Sequence, residues 1–277
     1  MRISSPRMFA VAVAGLALML TSSIHAAPPC NADLDDDGQV GTSDLLLLFS
    51  SWGPCEGCVA DLNGDGSVNT SDILELFAGW GPTQFEFADG QDDAEAQQIA
   101  IEMLGAGGPL NVPTDIYERV DRDLDLIRAA VPDLISQLHS PAWVEGQILA
   151  QILENEPQQE YLCLNEYYQV INLDNFSSNL WLITFADNIN IPALAPIYAA
   201  TPAVSFAEPN GIFGGQNFWT PTDFGGGLWQ WVIDDGWHDC FDGCDCHRVY
   251  TIRTDSKKNV QIISIEEFGQ PWCDFGG

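Results

Sequence analysis

Two stretches of the chain repeat one pattern of polar and apolar positions, 28 residues apart. The first, DLDDDGQVGTSDLLLLFSSWGP, begins at Asp33, and the second, DLNGDGSVNTSDILELFAGWGP, begins at Asp61. In both, apolar residues recur at i, i+3, i+4 and i+7: Leu45, Leu48, Phe49 and Trp52, then Ile73, Leu76, Phe77 and Trp80. This spacing predicts one short helix per repeat, ended by Trp-Gly-Pro. Because a short helix cannot bury its apolar face alone, we expect the repeats to pack together, Trp against Trp.

The pattern between residues 116 and 210 alternates between helical and strand periods. A helix is predicted over 116–138, kinked or split at Pro132. Further strands are predicted at 142–153, 180–185 and 203–207, and further helices at 160–170 and 191–200. This alternation favours an α/β sandwich, with a small sheet covered by helices on one face.

Residues after Gly211 change to a β pattern. The runs 227–237, 246–255 and 259–269 are rich in aromatic and β-branched residues, and turns separate them, which predicts an antiparallel meander. Gly and Pro residues within 105–109 and 111–114, which interrupt helices and strands, predict a linker over 83–115. Whether residues 92–104 form one short acidic helix within it is open. The expected class is α+β: an all-α module at 28–82, then a domain at 116–277. Whether the latter divides into 116–210 and 211–277 is open.

The N-terminus has the pattern of a secretory signal peptide. Arg2 and Arg7 precede a short apolar run, and small residues follow up to Ala27, which predicts cleavage near residue 27 and export. All eight cysteines lie beyond this segment, and an even count in an exported chain favours disulfides. We expect Cys30 to pair with Cys55 or Cys58, and Cys240 to pair with Cys244.

The chain is strongly acidic, with a formal net charge of −31. Removal of residues 1–27 takes two basic residues and no acid, which lowers the net charge to −33. A nucleic-acid partner is disfavoured because phosphate binding needs the opposite sign, and anionic membranes are disfavoured for the same reason. The hydrophobic content of 46% argues against disorder.

Each repeat opens with oxygen-bearing side chains at alternate positions. Loop positions 1, 3, 5 and 12 are oxygen donors and position 6 is Gly, which is the pattern required by a calcium ion with its six to eight oxygen ligands. Backbone carbonyls would occupy position 7. The predicted ligands are Asp33, Asp35, Asp37, Gln39 and Asp44 for one ion, and Asp61, Asn63, Asp65, Ser67 and Asp72 for the other.

With two such loops, Asp at position 12 and no helix before either loop, residues 30–82 resemble a dockerin domain, the paired calcium module of cellulosome-type assemblies. The resemblance implies two calcium ions and a cohesin-like or other scaffold partner. It also implies partner contacts at loop positions 10 and 11, which are Thr42-Ser43 and Thr70-Ser71 here. The basic pair that this family often carries further along the helix is replaced by Phe49-Ser50 and Phe77-Ala78.

A second resemblance covers about residues 142–210. The run PIYAATPAVSFAEPN (196–210) resembles the end of subtilase propeptides and related small inhibitors, and WVEGQILAQI (143–152) is similar to their opening strand. This implies a ferredoxin-like sandwich that packs against a protease or another domain. Because no protease domain follows in this sequence, we do not expect a propeptide role in cis.

No catalytic motif is present. Nucleophile elbows, zinc-protease helices and phosphate loops are absent, and whether the chain is an enzyme stays open. His238, Cys240, Cys244, Cys246 and His247 raise the question of zinc, but their spacing favours a disulfide-pinned loop. Exposure of Trp219, Trp229, Trp231 and Trp237 would favour contact with a glycan, whereas burial would favour a structural role.

The preferred hypothesis is a secreted, non-catalytic calcium-dependent docking protein, linked to polysaccharide degradation through its dockerin-like module. A glycan-active hydrolase carried by that module and a protease inhibitor are the alternatives.

Overall fold

The computed structural model describes residues 31–55, 57–238, 240 and 244–273. Within them the protein mixes six α-helices with four antiparallel sheets, so the expected combination of α and β structure is confirmed. The predicted signal peptide (1–27) and Cys30 lie outside the described residues.

The repeat module consists of two helices and four strands of two residues each. They are β1 (Gln39–Val40), α1 (Thr42–Ser50), β2 (Gly53–Pro54), β3 (Ser67–Val68), α2 (Thr70–Ala78) and β4 (Gly81–Pro82). The strands correct the all-α expectation for this module. They form two small ladders, β1 with β4 and β2 with β3, so each repeat pairs with the other. The segment just before each helix is extended because it pairs with the Gly-Pro that follows the other helix.

Small aliphatic side chains form the core of the repeat module. Six hydrophobic residues are buried there: Ala32, Val40, Leu48, Ala60, Val68 and Leu76. The expected contact of Trp against Trp between repeats is wrong. Each Trp instead lies against the Phe of its own repeat, at 5.8 Å between ring centroids for Trp52 and 5.5 Å for Trp80. Both indoles remain about half exposed, because the short helices approach through their Leu residues.

The rest of the described chain holds four helices and eight strands. They are α3 (Ala94–Leu104), α4 (Thr114–Ala130), β5 (Trp143–Ile152), α5 (Gln159–Tyr167), β6 (Val170–Ser177), β7 (Leu180–Phe185), α6 (Ile191–Ala199), β8 (Val204–Gly211), β9 (Asn217–Asp223), β10 (Trp229–Trp237), β11 (Cys246–Thr254) and β12 (Val260–Gly269). Single 3-10 turns follow α3 and α4. Pro132 opens the second of these turns, which confirms that the predicted helix splits there.

Strands β5 to β8 form one antiparallel sheet in the order β6-β7-β5-β8. Along the chain these elements follow the sequence β-α-β-β-α-β, and the buried side chains of α5 and α6 join those of the sheet in one core. The strand β6 escaped prediction. Its residues are Asn- and Asp-rich, and seven of its eight side chains are exposed, so it shows no alternation of buried and exposed positions.

Strands β9 to β12 form a second antiparallel sheet in sequential order, a meander. Helices α3 and α4 pack on one face of it, around Trp219, Trp231 and Tyr250. The predicted linker (83–115) therefore contains a core helix, α3, whose Ile99 and Ile101 are fully buried. The helix α4 likewise belongs with the C-terminal meander rather than with the sandwich that follows it in sequence.

The two larger units are joined by buried side chains. Trp143 packs against both cores. Asn190, which is fully buried, donates hydrogen bonds to the carbonyl oxygens of Gly105 and Pro109, both at 3.0 Å. Among the described residues, no helix combines the length and the apolar character that crossing a bilayer requires.

Candidate calcium-binding loops

The first acidic loop folds around the side chain of its first residue. Asp33 accepts hydrogen bonds from the backbone N–H groups of Asp37 at 3.1 Å and Gly38 at 2.9 Å. Asp35 accepts from the N–H of Asp37, and Asp37 accepts from the N–H of Gln39. Gly38 has a φ of +88°, which L side chains rarely adopt and which allows the tight turn. One oxygen from each of Asp33, Asp35 and Asp37 lies within 4.8 Å of the other two.

The second acidic loop repeats this arrangement bond for bond. Asp61 accepts from the N–H groups of Asp65 at 3.1 Å and Gly66 at 2.8 Å. Asn63 accepts from the N–H of Asp65, and Asp65 from the N–H of Ser67. Asn63 supplies an amide oxygen where the first loop has a carboxylate, so the predicted ligands of this loop carry one negative charge fewer.

The twelfth residue of each loop is a fully buried aspartate at the start of the helix. Asp44 accepts from the N–H groups of Leu34 at 2.7 Å and Gly41 at 2.6 Å. Asp72 accepts from those of Leu62 at 2.9 Å and Asn69 at 2.7 Å. Each carboxylate thus ties the beginning of its loop to the first turn of its helix. Oδ1 of each carboxylate accepts a second, longer bond, from the N–H of Asp35 at 3.4 Å or of Asn63 at 3.3 Å. Oδ2 of each accepts one N–H group and keeps a lone pair for a second partner, since a carboxylate offers about four acceptor sites.

The predicted ligands at position 7 are the carbonyls of Gln39 and Ser67, and both residues lie in the short strands. Gln39 is opposite Pro82 and Ser67 is opposite Pro54. The Trp-Gly-Pro segments therefore do more than end the helices, because each one supports the loop of the other repeat. The sequence shows that Gly-Pro is repeated, but it does not show that each Gly-Pro pairs with the strand of the other repeat.

The repeat module has no basic side chain of its own to offset the loop charges. Residues 31–82 contain ten Asp and Glu residues and no Lys, Arg or His. The nearest Lys or Arg residues in sequence are Arg7 and Arg119. Carboxylates a few ångströms apart repel one another, so a bound cation would remove a substantial electrostatic cost.

The four predicted partner-contact residues lie at the beginnings of the two helices. Thr42, Thr70 and Ser71 are exposed and Ser43 is half-buried. The same two helices carry an exposed apolar surface, which we define as Leu46, Leu47, Phe49 and Trp52 of α1 with Leu74, Phe77 and Trp80 of α2. Phe49 and Phe77 are each about half exposed.

The cysteines form three disulfides within the described residues: Cys55–Cys58, Cys240–Cys244 and Cys246–Cys273. The expected Cys240–Cys244 pair is confirmed. The expected pairing of Cys30 with Cys55 or Cys58 is wrong, because those two are bonded to each other across a Cα distance of 5.7 Å. Cys163 is also disulfide-bonded. Disulfides are typical of an oxidising compartment outside the cytosol.

The other candidate residues of the sequence serve the meander. Trp219, Trp229 and Trp231 are buried in its core, which favours the structural interpretation over glycan contact. Asp234 lies 2.8 Å from Nδ1 of His247, and Glu267 accepts from Nε of Arg248 at 2.8 Å. Both acids therefore have partners within the sheet.

A polar cleft of about 530 Å³ lies between the loop after the repeat module, the start of α3 and the sandwich. Its lining includes Asp89, Glu145, Asp187 and Asn188. Partial burial and the charge of Asp187 raise the pKa of Glu145, and they outweigh a hydrogen bond from Asn188 that lowers it. Sequence reasoning gave no signal for this cleft, since its residues are far apart along the chain.

Comparison with known proteins gives no further assignment: no protein-family model, no curated protein and no solved structure matches this chain.

Proposed function

We propose that residues 31–82 bind two calcium ions and that the calcium-loaded module docks this exported protein to an extracellular scaffold. The observation that carries the proposal is the repetition of one loop geometry, in which the side chains at positions 1, 3 and 5 accept hydrogen bonds from backbone N–H groups of their own loop. In the first loop, one oxygen of each of these side chains lies within 4.8 Å of the other two. A single acidic turn is common on protein surfaces. Two turns with the same hydrogen bonds and no cation of their own are not explained by the fold alone.

The residues present fit calcium. The donor set of each loop is all oxygen, as a hard cation requires, and the position 6 glycine permits the sharp turn. Asp33, Asp35, Asp37, Asp44 and the carbonyl of Gln39 would hold one ion; Asp61, Asn63, Asp65, Asp72 and the carbonyl of Ser67 would hold the other. When bound, calcium would neutralise the converging carboxylates and fix the start of each helix.

A direct titration tests the calcium sites. Isothermal titration of calcium into the chelator-stripped full chain should give two ions bound, and Asp35→Ala should weaken one site by about tenfold or more, because affinity follows the number of charged ligands. Asn63→Ala should weaken the other site. Asp36→Asn is the matched control, since Asp36 is an exposed acid in the same loop at a position that supplies no ligand. Binding of no calcium, or equal effects of Asp35→Ala and Asp36→Asn, would contradict the proposal.

The docking surface is expected to combine hydroxyl and apolar groups. Thr42 and Thr70 sit at the helix starts, beside the exposed apolar surface of α1 and α2. A partner that binds this surface would need an apolar face of its own. A partner that recognises a pair of basic residues on the helix would not fit it. The acidic composition of the module also supports a protein partner rather than nucleic acid.

Docking is tested with the full chain immobilised and secreted or envelope proteins passed over it in calcium. A scaffold protein should elute with chelator, should fail to bind the Asp35→Ala/Asn63→Ala variant, and should bind the Asp36→Asn variant normally. The class of that protein would show whether the assembly degrades polysaccharides. Capture that persists in chelator would contradict calcium-dependent docking.

One observation favours a second candidate, a protease inhibitor. The β-α-β-β-α-β order, with β5 and β7 central and β8 and β6 at the edges, is what the ferredoxin-like prediction requires. The sheet face away from α5 and α6 carries Leu149 opposite Leu182, both partly exposed. A partner could pack on these side chains. The full chain should then inhibit a subtilisin-type protease, and Leu149→Asp should relieve the inhibition; absence of inhibition at large excess would remove this candidate.

A further inference from the structure

The C-terminal strand β12 leaves apolar side chains in solvent along an open edge. It pairs only with β11, so its other side lacks a strand partner in the described sheets. Four of its large hydrophobic residues are 42–51% exposed: Ile262, Ile263, Ile265 and Phe268. Open, apolar strand edges tend to pair with another strand. A bulge at Ile263 interrupts the pairing with β11, but it leaves these side chains uncovered.

The charge of the β11–β12 hairpin differs from that of the rest of the chain. Residues 246–269 contain four Lys and Arg residues against three Asp and Glu residues, a net charge of +1 within a chain of net charge −31. Two copies of so acidic a protein repel one another over most of their surface. The hairpin is a place where they can approach without that repulsion.

The edge strand β6 shows the contrast. It also exposes apolar side chains, with Ile171 and Phe176 each 66% exposed. It lies, however, in a stretch from residue 129 to residue 247 that has no Lys or Arg. Exposed apolar residues are therefore common to both edges, whereas local charge balance distinguishes β12.

The strand β12 has positive charges before its start and negative charges near its end, so two antiparallel copies would be complementary in charge. Lys257 and Lys258 precede the strand, and Glu266 and Glu267 lie near its other end. Lys257, Lys258 and Glu266 form no ion pair among the described residues, and Glu267 pairs with Arg248. If two β12 strands run antiparallel about an axis at Ile262, Lys258 of each copy stands opposite Glu266 of the other. We propose that β12 is a self-association edge, which pairs with β12 of a second copy of this chain.

This inference does not depend on the calcium loops, and its test separates the two. Sedimentation equilibrium of the full chain, in calcium and in chelator, should give a dimer in both conditions. Lys258→Glu alone and Glu266→Lys alone should each weaken the dimer roughly fivefold to tenfold, because each turns two exposed attractions into repulsions. The combined variant Lys258→Glu/Glu266→Lys should recover the affinity of the original chain.

Two further variants complete the design. Glu154→Lys makes the same charge change as Glu266→Lys at an exposed site outside the hairpin, and it should leave the dimer unchanged. Ile265→Asp, checked for an unchanged melting temperature, should give a monomer. The proposal is overturned by a monomer at the highest soluble concentration, by a dimer present only in calcium, or by a combined variant that fails to recover.

Discussion

The repeat module and the unit formed by α3, α4 and the meander handle buried charge in opposite ways. In the meander unit, Asp123 is fully buried, and Arg119 and Arg122 contact its two oxygens at 2.8 and 2.9 Å. Trp231 donates to it at 3.2 Å, and the hydroxyl of Thr254 donates as well. In the repeat module, the buried Asp44 and Asp72 have backbone N–H partners and, within the part of the chain that the structure describes, no ion pair with a cationic side chain.

The meander unit thus supplies its own cations, whereas our proposal for the repeat module is that calcium from the solution supplies them. Arg119 also bonds the carbonyl oxygens of Gly227 and Thr254 and lies 4.8 Å from the centroid of the Trp229 ring, so one ion-pair network joins α4 to three parts of the meander. The repeat module has six buried hydrophobic residues and ten acids. Its stability should therefore follow calcium, while that of the meander unit should not.

The largest expected effect comes from removing the charge of Asp123 in the meander unit. Asp123→Asn leaves two arginines without their counter-charge and should cost about 3–5 kcal/mol of unfolding free energy, the range for removing one partner of a buried pair. Urea denaturation measures it, with and without calcium. Asp125→Asn, on the exposed side of the same helix, is the control. A loss below about 1 kcal/mol would mean that the network is not the tie between α4 and the sheet.

A smaller effect is expected from the core of the repeat module. Leu76 is fully buried and Leu74 is 70% exposed on the same helix. Leu76→Ala should destabilise the module by about 2–5 kcal/mol through lost packing, whereas Leu74→Ala should change it by less than about 0.5 kcal/mol. Hydrogen exchange of residues 31–82 reports the difference locally. Similar losses for both variants would contradict the described core.

Removal of calcium should destabilise the repeat module and leave the meander unit unchanged. At a calcium concentration of 100 times the dissociation constant, one site stabilises the module by about 2.7 kcal/mol. Chelation should therefore raise hydrogen exchange in α1 and α2 and leave that of α3 and α4 unchanged. The Asp35→Ala variant should show part of the same change in calcium, and Asp36→Asn should not. Equal responses in both regions would remove the distinction between them.

The smallest expected effect concerns acid. Burial alone would raise the pKa of Glu102, but the hydrogen bond and charge of His139 and the N–H of Ala142 lower it below its ordinary value of 4.5. The unfolded chain then binds the proton more tightly, so this stabilisation is present above about pH 4.5 and is lost as the pH falls through the folded pKa. Urea denaturation between about pH 6 and pH 3.5 should show a shallower pH dependence for Glu102→Gln. Glu118→Gln, exposed on α4, should keep the original dependence.

Much of the local structure followed from periodicity. The predicted strand at 180–185 matches β7, and the predicted helix at 191–200 ends one residue beyond α6. The acidic loops were equally visible, because their oxygen donors lie within twelve residues of one another. Such elements depend on interactions between near neighbours, which any one stretch of sequence contains.

The predictions that failed concern contacts between distant stretches. The Trp of each repeat lies against its own Phe. The short helix left open at 92–104 is present as α3, but it packs in the core and does not lie in a linker. In both cases the other elements decide which apolar faces are covered. Cys55 bonded to Cys58 for a comparable reason: the short turn places these two thiols together, whereas a sequence offers 105 pairings for eight cysteines.

By itself, the sequence determined the mixed α and β class of the fold, the two repeated acidic loops and their high negative charge. Only the tertiary structure decided that each loop rests on the Gly-Pro of the other repeat, that α4 belongs to the meander, and that Asp123 has two arginines. The reason is physical. Hydrogen bonding within a turn or helix is set by residues close in the chain, while burial and ion pairing depend on which surfaces remain to be covered once every element is in place.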